Sequence, residues 1–119
     1  MITRMLALGL IAVSNSAFAA PPLTCEGYEP DWFLTLTETQ AQIRFGRKTD
    51  FEIPQSNIAE GQENWPRAYT LIADFDTAIV LVNEVSCALA GREWPITAHV
   101  LTQRGQTPIL LTGCCTVAE

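Results

Sequence analysis

Near the end of the chain two cysteines stand side by side, Cys114 and Cys115, and two more lie far upstream, Cys25 and Cys87. An even number of cysteines in a small exported domain reads as a set of disulfides. Three pairings exist. A bond between adjacent residues would strain the peptide joining them, so Cys114–Cys115 ranks last. Neighbouring residues on a strand point to opposite faces. Cys114 and Cys115 can therefore reach two different partners, one on each side of a closing strand. In either remaining pairing one loop starts near the beginning of the domain and the other closes over its last third. Loops of this length contribute roughly 3–5 kcal/mol each in the chain-entropy model, comparable with the whole stability of a small domain. No C-x-x-C spacing is present, which argues against a zinc site built from the four thiolates and against a redox-active pair.

The oxidising compartment is inferred from the N-terminus. Arg4 supplies a basic start, Met5–Val13 an apolar run, and Ala17-Phe18-Ala19 a small-x-small cleavage site. The run is too short for a membrane span, which needs about 20 apolar residues. The Pro22-Leu23-Thr24 before Cys25 does not fit a lipid-anchor site. The expectation is a signal peptide over 1–19 and a single mature domain over 20–119, periplasmic or secreted. Removing the leader takes Arg4 and no acid, so a net charge of −6 becomes −7. An acidic domain of this size disfavours nucleic acid and anionic lipid as partners and permits a basic one.

Period-two alternation runs through the mature part. Trp32, Leu34 and Leu36 share one face and Ala41, Ile43 and Phe45 another, so Trp32–Phe45 reads as a hairpin. Phe51 and Ile53 form a short strand that Pro54 ends. Pro54–Pro66 reads as a polar loop with room for one helical turn. Tyr69–Ala73 is a strand, Asp74-Phe75-Asp76 a turn, and Thr77–Val82 a continuous apolar run expected to be the central buried strand. Ala88–Pro95 reads as a loop, Ile96–Val100 as a strand, Gln103–Gln106 as a hairpin turn, and Ile109–Thr112 as the strand leading to Cys114 and Cys115. Ala20–Glu29 reads as an extended lead. The fold class is all-β: a small antiparallel β-barrel or sandwich of about seven or eight strands, stapled by disulfides.

Few residues carry recognisable chemistry. His99 is the one histidine, Ser56 and Ser86 are the only serines after the leader, and no G-x-S-x-G is present; nothing marks a catalytic centre. No cofactor or metal is expected. Glu26, Glu29 and Asp31 cluster without a calcium-loop spacing and read as a solvated acidic edge. Glu29-Pro30 is expected to form a corner with Trp32 packed below it. Trp65 and Trp94 each precede a proline and are expected to be partly exposed, as interface anchors or lids. Arg92 beside Trp94 is a recognition pair or a cation–π contact. The candidate binding residues are Glu29, Trp32, Arg92 and Trp94.

The C-x-G-x-E-P-x-W of Cys25–Trp32, the R-x-W-P of Arg92–Pro95 and the closing Gly113-Cys114-Cys115 resemble the motifs of a family of small uncharacterised bacterial envelope proteins. That likeness implies location and fold, not an activity. In the family an acidic Asp-Gly-Met-Ser-Asp-like segment leads into the arginine; here the shorter Ala88-Leu89-Ala90-Gly91 stands there. A weaker likeness is to the periplasmic lysozyme-inhibitor barrels, whose inhibitory loops carry a serine and a lysine. The only lysine here is Lys48. The reading is a non-catalytic periplasmic binding or envelope-maintenance module whose partner is an envelope protein or a small ligand. The alternatives are an inhibitor of a cell-wall hydrolase and a carrier of a small apolar ligand.

Overall fold

The structure, a computed structural model, describes residues 21–103 and 107–118. The expected leader and most of the expected Gln103–Gln106 turn lie outside the described residues. Ten strands are formed: β1 Leu23–Gly27, β2 Trp32–Leu36, β3 Gln40–Phe45, β4 Arg47–Ile58 and β5 Arg67–Ala73. These are followed by β6 Asp76–Asn83, β7 Cys87–Leu89, β8 Arg92–Trp94, β9 Ile96–Thr102 and β10 Ile109–Val117. Eight of them close an antiparallel barrel in the order β1-β10-β9-β6-β5-β4-β3-β2, with β2 returning to β1. β7 and β8 pair only with each other, as a ribbon on the connection between neighbouring strands β6 and β9.

Alternation puts one face of every barrel strand inside. On β2 Trp32, Leu34 and Leu36 are buried while Phe33 and Thr35 face out; on β9 Ile96, Ala98 and Val100 are buried. An eight-stranded barrel is just wide enough for such side chains to fill. Trp32, Phe51, Tyr69 and Leu71 occupy this one together with the aliphatic residues around them. Burial pushes the Tyr69 phenol above its usual pKa range, and the nearby Arg67 offsets part of that rise.

The strand map corrects the expectations at four places. The lead before Glu29 contains β1, whose residues pair on both sides with β10 and β2. Pro54 does not end its strand: β4 runs from Arg47 to Ile58, with a register shift between Glu52 and Gln55. A bulge is where a strand tolerates the missing N–H of proline. No helical turn forms in 54–66. The run Thr77–Val82 is not buried on both faces, since Ile79 and Leu81 point outward at 44% and 47% exposure. The expected loop Ala88–Pro95 holds β7 and β8.

The tightest packing lies at the end of β1. Gly27 is opposite Trp32, and the indole lies so close that a Cβ on Gly27 would sit 1.8 Å from Nε1. A Cβ on Gly113 would meet the Glu26 carbonyl oxygen at 2.0 Å and Trp32 Cζ2 at 2.7 Å. Trp32 Nε1 donates to the Thr112 carbonyl at 3.1 Å. Two glycines thus make the bed for one tryptophan, and its polar edge is satisfied by the strand beneath.

Candidate functional site

Strand β10 carries the two adjacent cysteines, and its alternation sends them to opposite sides of the barrel wall. Cys115 points inward to Cys25, its cross-strand partner on β1, with Cα atoms 4.0 Å apart. Cys114 points outward to Cys87 on β7, with Cα atoms 5.6 Å apart. One bond therefore lies in the core, and the other ties the β7–β8 ribbon to the outside of the barrel. All four cysteines are paired, which fits an oxidising environment.

The ribbon has three residues per strand, turned by Ala90 and Gly91 at φ 52° and 78°. A two-residue turn with both φ positive matches the right-handed twist of the strands it joins. Cys87 is directly opposite Trp94, and Leu89 opposite Arg92. Both short strands lie against β10. Trp94 is consequently buried under the ribbon at 6% exposure, not partly exposed. Its Nε1 is enclosed and has no hydrogen-bond partner. The exposed Arg92 guanidinium lies 4.6 Å from the Trp94 ring centroid. At the base of the ribbon the Ser86 hydroxyl donates to the Glu93 carboxylate, and the Thr97 hydroxyl donates to the Val85 carbonyl at 2.9 Å.

Arg92 and Trp94 are thus brought together, and Arg92 is the accessible member. Trp32 is a core residue at 1% exposure and offers no surface. Glu29 is exposed in the turn between β1 and β2, at φ 52°. Glu26 is opposite Cys114, which is opposite Thr97, which is opposite Asn83. That row places the β1–β2 turn and the root of the ribbon at the same end of the barrel. Trp65 is half-buried, with the Arg67 guanidinium 5.5 Å from its ring centroid. His99 is exposed on β9.

Two open grooves mark the outer surface. One, of about 720 Å³, is lined by residues that include Asp50, Glu52, Asp74, Gln40 and Gln42, and no basic side chain lines it. Gln42 Nε2 donates to Asp50 Oδ1 at 2.8 Å. The other, of about 330 Å³, is mainly apolar and runs between Leu81, Val85, Pro66 and His99. Among the described residues no three His, Cys, Asp or Glu side chains converge as a metal site would need, and no helix is long and apolar enough to cross a membrane. The glycine bed under Trp32 and the acidic groove were both missed in the sequence. The first had a signal in the G-x-E-P-x-W spacing. The second joins residues from four strands and had none.

No protein-family model, curated protein or solved structure matches this chain.

Proposed function

We propose that the chain is an exported, periplasmic binding or envelope-maintenance module that makes contacts and does not turn over a substrate. The observation that carries this reading is the disulfide from Cys114 to Cys87, which fastens a separate ribbon to the outside of a filled barrel. A two-stranded ribbon of this length is unstable alone in water. Holding it covalently keeps Arg92 and Glu93 fixed and exposed above Trp94, and pre-ordering a contact lowers the entropy cost of binding. The envelope-family likeness of the R-x-W-P and G-C-C motifs is part of the same proposal, because both motifs lie in this ribbon and its anchor. A filled interior counts against the apolar carrier. The test is crosslinking in an envelope extract, comparing the native chain with Arg92→Ala. Loss of a specific crosslinked partner in the variant supports the ribbon as the contact; an unchanged set of partners rejects it.

The acidic groove favours a second reading, inhibition of a basic cell-wall hydrolase of the lysozyme type. Three carboxylates without a cation among them suit a basic loop. Undiminished lysis of a cell-wall suspension by lysozyme, with the protein present at micromolar levels, dismisses it.

A further inference from the structure

The barrel wall is divided in charge. Strands β1–β4 carry Glu26, Arg44, Arg47, Lys48, Asp50 and Glu52. The four consecutive strands β5, β6, β9 and β10 carry only Arg67 and Asp76 besides His99. Asp76 is buried, and Arg67 lies at the first position of β5, opposite the buried Val82 and beside Trp65. The outward positions on these four strands therefore hold no Asp, Glu, Lys or Arg. Exposed Asp74 and Glu84 flank Phe75 and Val85, and the ribbon fastened over the Cys114 end of β10 carries Arg92 and Glu93.

Several of the outward positions are apolar and meet in register, with the outward Thr70, Thr77 and Thr112 between or beside them. Ile79 is opposite Leu101, which is opposite Leu110. Leu81 follows on the same face, and Ile72 lies diagonally from Ile79 on β5. Phe75 at the β5–β6 turn is 98% exposed and sits at φ 63°, a conformation that costs a bulky residue energy. Val85 stands beyond the other end of β6, beside the apolar groove. At ordinary residue areas Ile72, Ile79, Leu81, Leu101 and Leu110 leave roughly 500 Å² open, at the upper end of a monomer's largest apolar patch. Phe75 at the rim adds roughly 200 Å², and together they come close to one partner's share of a stable interface.

The geometry points to a second copy of this chain as the occupant, packed sheet against sheet through the β5–β6–β9–β10 wall. An acidic chain repels its own copy in most orientations. Pairing through the Ile79–Leu101–Leu110 end of this wall, away from the Cys114 row where the ribbon is fastened, turns the charge-bearing β1–β4 halves away from each other and leaves Arg92 and Glu93 in solvent. The same neutral surface on both partners satisfies the self-complementarity that a two-fold contact needs. A lipid surface is the rival occupant, and the test separates them.

Sedimentation velocity is run on the disulfide-intact protein from about 1 to about 100 µM, the range in which micromolar contacts are resolved. A dimer is expected for the native chain. Leu101→Lys, an outward position, is expected to raise the dissociation constant at least about 100-fold, as loss of a central anchor does, with an unchanged circular dichroism spectrum. Thr35→Lys on the opposite half is expected to leave the dimer intact. A native chain that stays monomeric at the highest concentration overturns the proposal, as does a dimer indifferent to Leu101→Lys. A monomer that floats with neutral phosphatidylcholine vesicles overturns it in favour of lipid.

Discussion

Two tryptophans are buried against opposite sides of the same strand, each close to a disulfide, and they are held in different ways. Trp32 lies inside the barrel on Gly27 and Gly113, its N–H bonded to Thr112, within reach of strands that pair on both sides. Trp94 lies outside under a ribbon with no further strand partner, its N–H unsatisfied. The inner site is over-determined: register, close packing, hydrogen bond and the Cys25–Cys115 bond agree. The outer site is joined to the barrel by one covalent tie, the packed indole and the Thr97–Val85 hydrogen bond at its root. The first is woven into the barrel's cooperative core, and the second is expected to be a local unit that loses order without unfolding the barrel once its tie is cut.

Removing the inner bond is the strongest way to break this contrast. The cysteines of Cys25–Cys115 are 90 residues apart in sequence, and the chain-entropy model assigns about 4.6 kcal/mol to such a loop. Cys25→Ala with Cys115→Ala is expected to remove most of the stability of a domain this size and to shift the urea midpoint accordingly. A midpoint within experimental error of the native one would show that the barrel does not depend on its core staple.

Gly113→Ala comes next. A methyl group there meets backbone oxygen, not a flexible side-chain end, so relief requires β1 and β10 to move apart. Overpacking of this kind costs about 3 kcal/mol, read as a lower midpoint in the same assay. The outer bond, Cys87–Cys114, spans 27 residues. Cys87→Ala with Cys114→Ala is expected to cost the barrel only about 1–2 kcal/mol, because the freed ribbon regains entropy in the folded state. Hydrogen exchange sharpens the point: amides of 87–94 should lose protection while those of β9 and β10 keep it. Simultaneous loss in both places would make ribbon and barrel one cooperative unit.

How much of this was legible in the sequence follows from the same contrast. Cys114 and Cys115 were readable as opposite-facing because a strand's period of two is a local property. The Trp32–Phe45 hairpin was readable for the same reason. β1 was hidden behind Pro21 and Pro22, since its strand character comes from the two neighbours that pair with it. β4 beyond Pro54 was hidden because a bulge, a relation between two strands, excuses the proline. Thr77–Val82 is apolar on both faces, and that pattern is equally consistent with full burial and with an exposed apolar wall; only the barrel geometry decides. At the candidate site Arg92 and Trp94 were read as adjacent, but that Trp94 lies beneath the ribbon depends on the Cys87–Cys114 pairing.

The smallest effect is the most discriminating. Replacing Trp32 by Phe removes a satisfied N–H and part of a well-packed ring, and a loss of about 2 kcal/mol is expected. Trp94→Phe removes a donor that has no acceptor. Enclosing such a group costs about 1–3 kcal/mol, so its removal is a gain. Against it stand a smaller ring, with lost burial of about 1 kcal/mol, and a weaker cation–π contact with Arg92, about 0.5 kcal/mol. The terms nearly cancel, and Trp94→Phe is expected to leave the midpoint within about 0.5 kcal/mol of native, a quarter of the Trp32→Phe effect. Equal losses from the two substitutions would mean that the Trp94 N–H finds an acceptor in solution. The ribbon would then be held as firmly as the core, and the distinction between a rigid barrel and a tethered contact element would fall.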